Sequence, residues 1–416
     1  MSFTSAESRW GDVYLAAGAR GISACGDFLA ATALALALQS AGAGGLAVSG
    51  LLLAAALPLA VLAPITGRIA DRVDSRTLLI AAGLAQAGIC VALAYAHGTI
   101  LIIALVALLA CGLAVTQPTL AALLPAMVRR EDLARAGGIN QTASMVGILI
   151  APALAGLLVG QFGARIPLLL DAVTYLALVA AGLLIRTRRA HAARPGPDAT
   201  VFWRMRDDRL VFVMVGAIAA VVAGVGAINV IEVFFVRETL GASPTMFGLL
   251  GAAWTVGMLV GAALSGRYGG RVPDPARLVW LALLLAAVTC AVVLAAAGAR
   301  HALLLVPLWL IGGAGNGGIN VFTGVVLAER VPEAARGRAY AVMGAAVQGA
   351  GMIGYAVAGP LLERFEPRPL VAAAGLAGLV AVACCLPAVR RAGREIGPLP
   401  QVKDRHAPPA GDSVPA

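Results

Sequence analysis

The segment GRIADRVDSR, residues 67–76, lies between two long apolar stretches and carries three arginines. Its opening pattern, Gly-Arg-x-x-x-Arg, recurs at residues 266–271, which is 199 residues later. A second set of positions, including Val128 and Arg135, recurs 203 residues later as Val331 and Arg338. Basic segments that recur at the same place in two apolar halves indicate a duplicated array of membrane helices.

Composition agrees with a membrane protein. Of the 416 residues, 60% are hydrophobic and only 12% are charged, with a mean hydropathy of +0.90. Soluble domains carry about 25% charged residues, so a soluble enzyme is excluded. Since about 20 apolar residues span a bilayer, the sequence predicts twelve spans, at residues 14–38, 45–66, 77–96, 99–124, 137–160, 167–185, 210–236, 245–266, 277–298, 301–327, 338–362 and 369–389.

The basic residues divide unequally between the two sides of these spans. With the N-terminus placed in the cytoplasm, 25 Lys and Arg residues fall on the cytoplasmic side and five on the other, with Arg20 inside the first span. An excess of basic residues marks the cytoplasmic side of a membrane protein. The formal charge of +10 is therefore interpreted as a topology signal and not as a nucleic-acid-binding surface. Both termini are predicted to be cytoplasmic.

The predicted organisation is all-α and polytopic, with twelve transmembrane helices in two six-helix pseudo-repeats. Residues 1–185 form the N-terminal bundle and residues 210–390 the C-terminal bundle. The Arg-rich segment 186–209 is predicted to be a cytoplasmic linker, and residues 391–416 a disordered cytoplasmic tail, because both are polar and contain proline.

The segment 67–76 resembles the loop signature of the major facilitator superfamily, roughly G-x-x-x-D-R-x-G-R-R. Asp74 and Ser75 depart from that pattern. The D-R-x-D form looks like the branch that holds macrolide-efflux and enterobactin-exporter-type bacterial proteins. This resemblance implies the major facilitator fold, with a cargo site between the two halves.

In the same signature, Gly67, Asp71, Arg72 and Arg76 are the candidates for a cytoplasmic gate. A carboxylate at Asp71 beside a helix N-terminus is stabilised by the helix dipole, and the arginines are suited to pair with acidic groups of the facing half. The alternative is a basic loop that only sets topology. The second-half copy has Gly270 in place of Asp71, which predicts a weaker gate there.

Helix 5 contains a second recognisable motif. The stretch from Gly147 through Pro152 to Gly156 resembles the antiporter motif G-x-x-x-G-P-x-x-G-G, with Ala151 and Ala155 in place of two glycines. Proline bends the helix, and small residues allow a neighbouring helix to approach closely. The resemblance favours an exporter, whereas ordinary helix packing is the alternative.

Charged residues inside lipid are costly and are functional candidates by default. Arg20 and Asp27 lie seven residues apart on one face of helix 1, Asp171 lies in helix 6, and Glu232 lies in helix 7. Each carboxylate is a candidate for proton coupling or cargo binding, and each has a structural alternative. For Asp171 the structural role is favoured because it starts near the outer interface, and for Arg20 the alternative is an extended side chain that reaches the cytoplasmic interface.

No cofactor is predicted. The six cysteines lack metal-ligand spacing and are expected to pack as small reduced residues, so no metal site is predicted. The Gly-rich segment 313–318 lies inside an apolar helix, and no Walker sequence or catalytic triad is present, so the protein is not expected to be an enzyme. The energy source would then be an ion gradient, with protons suspected.

These features favour a secondary active transporter in a bacterial plasma membrane, performing proton-coupled efflux of a small hydrophobic or amphipathic drug-like compound by alternating access. Expected partners are this substrate and the lipid bilayer, with no nucleic acid, and the chain is expected to be monomeric. The alternative is an importer, symporter or facilitator for a metabolite or siderophore. A non-transporting membrane receptor is the third class.

Overall fold

The computed structural model describes residues 8–187, 204–269, 271–272 and 274–394. Twelve helices in these residues are long and apolar enough to cross a membrane, which confirms the predicted number and the all-α fold class. They are α1 (Trp10–Ser40), α2 (Gly45–Arg72), α3 (Ser75–Ala94), α4 (Thr99–Met127), α5 (Leu133–Phe162), α6 (Arg165–Leu184), α7 (Arg209–Thr239), α8 (Pro244–Gly269), α9 (Pro275–Ala296), α10 (Leu305–Arg330), α11 (Glu333–Leu362) and α12 (Pro367–Arg394).

The helices extend beyond the apolar stretches at several ends. Helix α2 continues through the predicted loop to Arg72, and α12 continues to Arg394, so residues 391–394 are helical and not part of a disordered tail. Charged side chains at a membrane surface do not end a helix, because water solvates them there. Residues 188–203 of the predicted linker and residues 395–416 of the predicted tail lie outside the described residues.

Aspartates mark the starts of several helices. The Asp208 carboxylate accepts the Val211 amide at 3.1 Å at the start of α7, and the Asp274 carboxylate accepts the Ala276 amide at 3.0 Å at the start of α9. These side chains satisfy amides that have no partner within the helix. The short loop before α4 instead turns at Gly98, whose φ of 89° suits glycine.

Helix α7 is interrupted within the membrane. It is α-helical over Arg209–Val225, turns at Gly226, resumes over Ile228–Phe234 and ends in a π-helical turn, Phe235–Thr239. A side-chain carbon at Gly354 of α11 would collide with the backbone of Gly226 and Ala227, so α11 packs directly against the interruption. Interruptions of this kind re-aim the residues that follow them.

The same packing pattern occurs twice. In the first half, α1 packs against α5 and α6, α3 against α4 and α6, and α2 against α4. In the second half, α7 packs against α11 and α12, α9 against α10 and α12, and α8 against α10. The outer surface carries exposed apolar side chains such as Ile100, Leu184 and Leu303, which suits contact with lipid.

The two halves meet through two symmetric pairs of helices, α5 with α8 and α2 with α11. Gly156 and Gly248 approach so closely that a side-chain carbon at either would overlap the backbone of the other helix. The Ser49 hydroxyl of α2 donates to the Tyr355 carbonyl of α11. Hydrogen bonds from Gln39, Ser49 and Thr245 to the other half lie toward the end of the bundle opposite to the start of α1.

Candidate functional site

Two carboxylates lie together inside the first half, between α1 and α6. Asp27, half-buried near the middle of α1, accepts a hydrogen bond from the Tyr175 hydroxyl of α6. Asp171, one helical turn before Tyr175, is fully buried. Its two oxygens accept bonds from the Cys90 thiol of α3, at 3.2 Å, and from the Thr174 hydroxyl, at 3.0 Å.

Gly26 makes this arrangement possible. A side-chain carbon at this position of α1 would collide with the Asp171 carboxylate and with the Thr174 side chain. The absence of a side chain therefore lets α1 come close enough for the neighbouring Asp27 to reach Tyr175. The buried Asp171 is thus part of a polar cluster and not only a residue near the outer interface.

Arg20 lies on the same helix as Asp27 but in a different environment. It lines a depression of about 420 Å³ between α1, α2 and α4, together with Thr66 and Gln117. Asp27 attracts the Arg20 guanidinium electrostatically, without a hydrogen bond between these two described residues. These two described residues do not form a direct ion pair.

Glu232 belongs to a separate, central cavity of about 540 Å³ that both halves line. The Trp309 indole N–H of α10 donates to Glu232 Oε1 at 2.8 Å, and Trp309 itself is buried. Five neutral polar Thr and Asn residues also line the cavity, namely Thr32, Asn229, Thr255, Thr289 and Asn316. Glu232 is therefore a cavity residue, held by an indole that the sequence analysis did not single out.

The four predicted charged residues thus form two groups. Asp27, Asp171 and Arg20 lie in the first half, and Glu232 faces the space between the halves. Tyr175, Cys90 and Trp309 were missed because their contacts come from other helices. Tyr175 was accessible to sequence reasoning, since it lies four residues after Asp171 and so on the same helical face.

A family profile described as transmembrane secretion effector matches residues 15–401, which is most of the chain. The protein belongs to the transmembrane secretion effector family. Members of this family and the solved structures of the same fold are transporters and not enzymes, so this protein is a membrane transporter. No curated protein matches the sequence.

Solved structures show the same fold at low identity. A bacterial homologue of the human lysosomal transporter Spinster, inward-facing and unoccupied, superposes with a TM-score of 0.69 and 16% identity over 92% of this chain and 97% of that one. A bacterial homologue of the iron transporter ferroportin, inward-facing, superposes with a TM-score of 0.71 and 16% identity over 93% of this chain and 100% of that one. A peptide transporter in complex with sulfate superposes with a TM-score of 0.69 and 16% identity over 95% of this chain and 96% of that one. The transmembrane secretion effector chain therefore has the major facilitator fold.

In this protein, the helix-5 motif lies at the joint between the halves. Gly147 packs on the Gly21 carbonyl of α1, and Gly156 packs on Gly248 of α8. Pro152 lies between these contacts and also lines the central cavity. The close approaches expected of small residues are present on two sides of α5.

Residues 67–76, which contain the candidate gate residues, form the end of α2 and the start of α3. The backbone of Gly67, Asp71 and Arg72 is helical, and the side chains of Asp71 and Arg72 lie outside the described residues. Arg76 is half-buried in the first turn of α3. Asp74, not Asp71, occupies the helix N-terminus, where its carboxylate accepts the Thr77 amide at 3.3 Å. The gating role of Asp71 stays a prediction.

Proposed function

We propose that the protein is a proton-coupled exporter of a small hydrophobic or amphipathic compound, working by alternating access in a bacterial plasma membrane. Within its family we place it with macrolide-efflux and enterobactin-exporter-type proteins, on the D-R-x-D form of residues 67–76. The observation that carries the proposal is the pair of neighbouring acidic residues inside one half, Asp27, which accepts a hydrogen bond from Tyr175, and Asp171, which accepts one from Cys90.

The chemistry of this pair suits proton exchange. Two ionised carboxylates that lie close together at membrane depth repel each other and lack water to solvate them. One proton bound by the pair removes the repulsion, and the hydroxyl of Tyr175 already bonds the carboxylate of Asp27. Arg20 attracts the ionised form of Asp27 and so favours release of the proton when water enters. Repulsion within the pair therefore favours binding of a proton, and the charge of Arg20 favours its release.

The way the halves meet supports the proposal of alternating access. Their joint, through α5 with α8 and α2 with α11, lies away from the end where α1 begins. With both termini in the cytoplasm, as the basic residues predict, this conformation is closed toward the outside and its other end faces the cytoplasm. Cargo would enter from the cytoplasm, and loss of the outer contacts would release it outside.

The orientation has its own test. An alkaline phosphatase reporter, active only outside the membrane, is fused after residue 196. Because this position lies in the predicted cytoplasmic linker, we expect no activity, while fusion after Arg300 in the loop between α9 and α10 gives high activity. Strong activity at residue 196 contradicts the topology.

The function is tested by expressing the protein in a host that lacks its own efflux pumps. Susceptibility to a panel of neutral and cationic antibiotics is measured with and without expression, and efflux of the protected compounds is measured before and after the proton gradient is collapsed. We expect gradient-dependent protection by the native protein and by Glu131→Gln, a control that alters an exposed carboxylate.

Asp27→Asn is the informative variant, because it keeps the shape of the side chain and removes the charge. We expect it to lose gradient-dependent efflux of every compound. Full gradient-dependent efflux of both neutral and cationic compounds by this variant contradicts the role of Asp27. Higher cellular accumulation on expression favours the importer alternative.

A further inference from the structure

The central cavity is aromatic and carries a charge of one sign. Glu232 is the single charged side chain among the described residues that line it. Its wall includes five aromatic side chains from both halves, namely Phe28, Phe247, Trp254, Trp309 and Tyr355. This is a large aromatic share, because only 5% of the chain is aromatic. Such a wall suits a ligand with a flat or bulky apolar body.

The carboxylate of Glu232 is held in place but not neutralised. Trp309 donates one hydrogen bond, to Oε1, and its indole is fixed because the side chain is only 3% exposed. Among the described residues, no donor bonds Oε2, and no Arg or Lys lines the cavity. One carboxylate oxygen is therefore available to a ligand.

A carboxylate in this setting favours one class of ligand. A negative charge at membrane depth is costly unless a cation lies beside it, and the faces of aromatic rings attract organic cations. We propose that the cavity binds a monovalent organic cation with an aromatic body, its positive charge beside Glu232 and its body against Trp254 and Phe247. This inference rests on the proposed function only in taking the cavity as the cargo site.

The size of the cavity sets the scale of the ligand. Its volume of about 540 Å³ lies in the range of about 300–1,000 Å³ that is usual for drug-sized ligands. Arg20 lines the separate depression in the first half and offers the opposite charge. An anionic ligand bound there is therefore the competing outcome of the test.

The test is equilibrium binding to the purified full chain in lipid nanodiscs, without any ion gradient. Three probes are used: tetraphenylphosphonium, the anionic tetraphenylborate of the same shape, and the neutral triphenylphosphine oxide, in which an oxygen replaces one phenyl group. Empty nanodiscs correct for partition into lipid, and radiolabelled probe is counted at equilibrium. The variants are Glu232→Gln and, as the control, Glu131→Gln at the surface.

We expect saturable binding of tetraphenylphosphonium that Glu232→Gln weakens about tenfold or more, since one ion pair at low dielectric has at least this effect. Binding of the neutral probe should change less than twofold in that variant, and Glu131→Gln should match the native protein. Trp254→Ala should weaken both the cationic and the neutral probe.

Three results overturn the inference: no saturable binding of the cation, equal cation affinity in Glu232→Gln and the native protein, or tighter binding of tetraphenylborate. None of them bears on proton coupling, because no gradient is present. Conversely, cation binding without gradient-dependent transport contradicts the proposed function and leaves the cavity assignment standing.

Discussion

The two halves share a packing pattern but place their acidic residues differently. In the first half, Asp27 and Asp171 lie inside the six-helix bundle, bonded by Tyr175, Cys90 and Thr174. In the second half, Glu232 faces the cavity between the halves and takes its hydrogen bond from Trp309. A duplicated backbone thus carries two kinds of carboxylate site, and under the proposed function the first is a proton-exchanging pair and the second a cargo-facing charge.

The position along the helix differs as well. With the 199-residue offset of the repeat, Glu232 corresponds to Ala33, six residues beyond Asp27, or about 9 Å along a helix. The position that corresponds to Asp27 is Gly226, where α7 is interrupted. The interruption therefore occurs where the first half has its carboxylate, and the second half has its own carboxylate farther along.

The ends of the halves at which α1 and α7 begin provide the largest expected contrast in stability. Arg330 and Asp208 form a buried ion pair at 2.8 Å in the second half, whereas the corresponding region of the first half uses a backbone bond from Arg9 to the Met127 carbonyl. Asp208→Ala leaves a buried guanidinium without this partner and should lower the free energy of unfolding by about 3–5 kcal/mol.

Thermal unfolding of the purified protein in detergent checks this prediction. The matched control is Asp132→Ala, which removes a half-buried carboxylate bonded to Ser8 near the start of the first half and should cost about 1 kcal/mol. Equal losses of stability in the two variants would mean that these contacts stabilise the two halves equally.

Gly26→Ala should disturb the carboxylate pair of the first half through packing alone. The new methyl group collides with Asp171 and Thr174, so we expect a loss of about 1–3 kcal/mol and reduced coupling. Gly18→Ala is the control on the same helix. Nothing lies within 4 Å of its added carbon, and helix propensity predicts no loss or a gain of up to about 1 kcal/mol. Unfolding and gradient-dependent efflux are measured together, and similar behaviour of the two variants would mean that α1 has room at Gly26.

Asp71→Asn tests the difference between the two loop copies, since the second copy has Gly270 at this position. A gate contact that exists in one state biases the conformational equilibrium without touching cargo. We expect transport to fall about two- to fivefold, from the loss of one charge contact worth about 0.5–1 kcal/mol, with unchanged probe affinity in nanodiscs. Normal transport by this variant would mean that residues 67–76 only set the membrane topology.

A similarly small effect is expected at the ends of α1 and α7 that lie opposite to the start of α1. The Gln39 amide donates to Glu238 at 3.1 Å and accepts from Arg237 at 3.3 Å, which links the halves. Gln39→Ala should lower the stability of the outward-closed state by about 1 kcal/mol. Hydrogen exchange of peptides near residues 38–46 should rise about fivefold at most, while peptides from α9 stay unchanged. No change at residues 38–46 would show that helix packing alone closes this end.

The sequence was sufficient for the number of helices, because lipid requires about 20 apolar residues per span. It was insufficient for their ends, as α2 and α12 continue into charged residues that water solvates. Asp27 and Glu232 were identifiable as charges among apolar neighbours. Their partners Tyr175 and Trp309 were not identified, because helix-to-helix contacts choose them. Cys90, expected only to fill space, also donates a hydrogen bond to Asp171.

One residue of α5 belongs to two surfaces at once. Pro152 lines the central cavity, and its carbonyl faces Gly248 at the contact between α5 and α8. Under the proposed function, the wall that touches cargo and the contact that closes the outer end therefore share this residue. A compound too large for the cavity would push Pro152 against α8 at the contact with Gly248. The size of a compound would then affect how easily the outer end opens. An inhibitor shaped to stop short of Pro152 would occupy the cavity and leave the outer end shut.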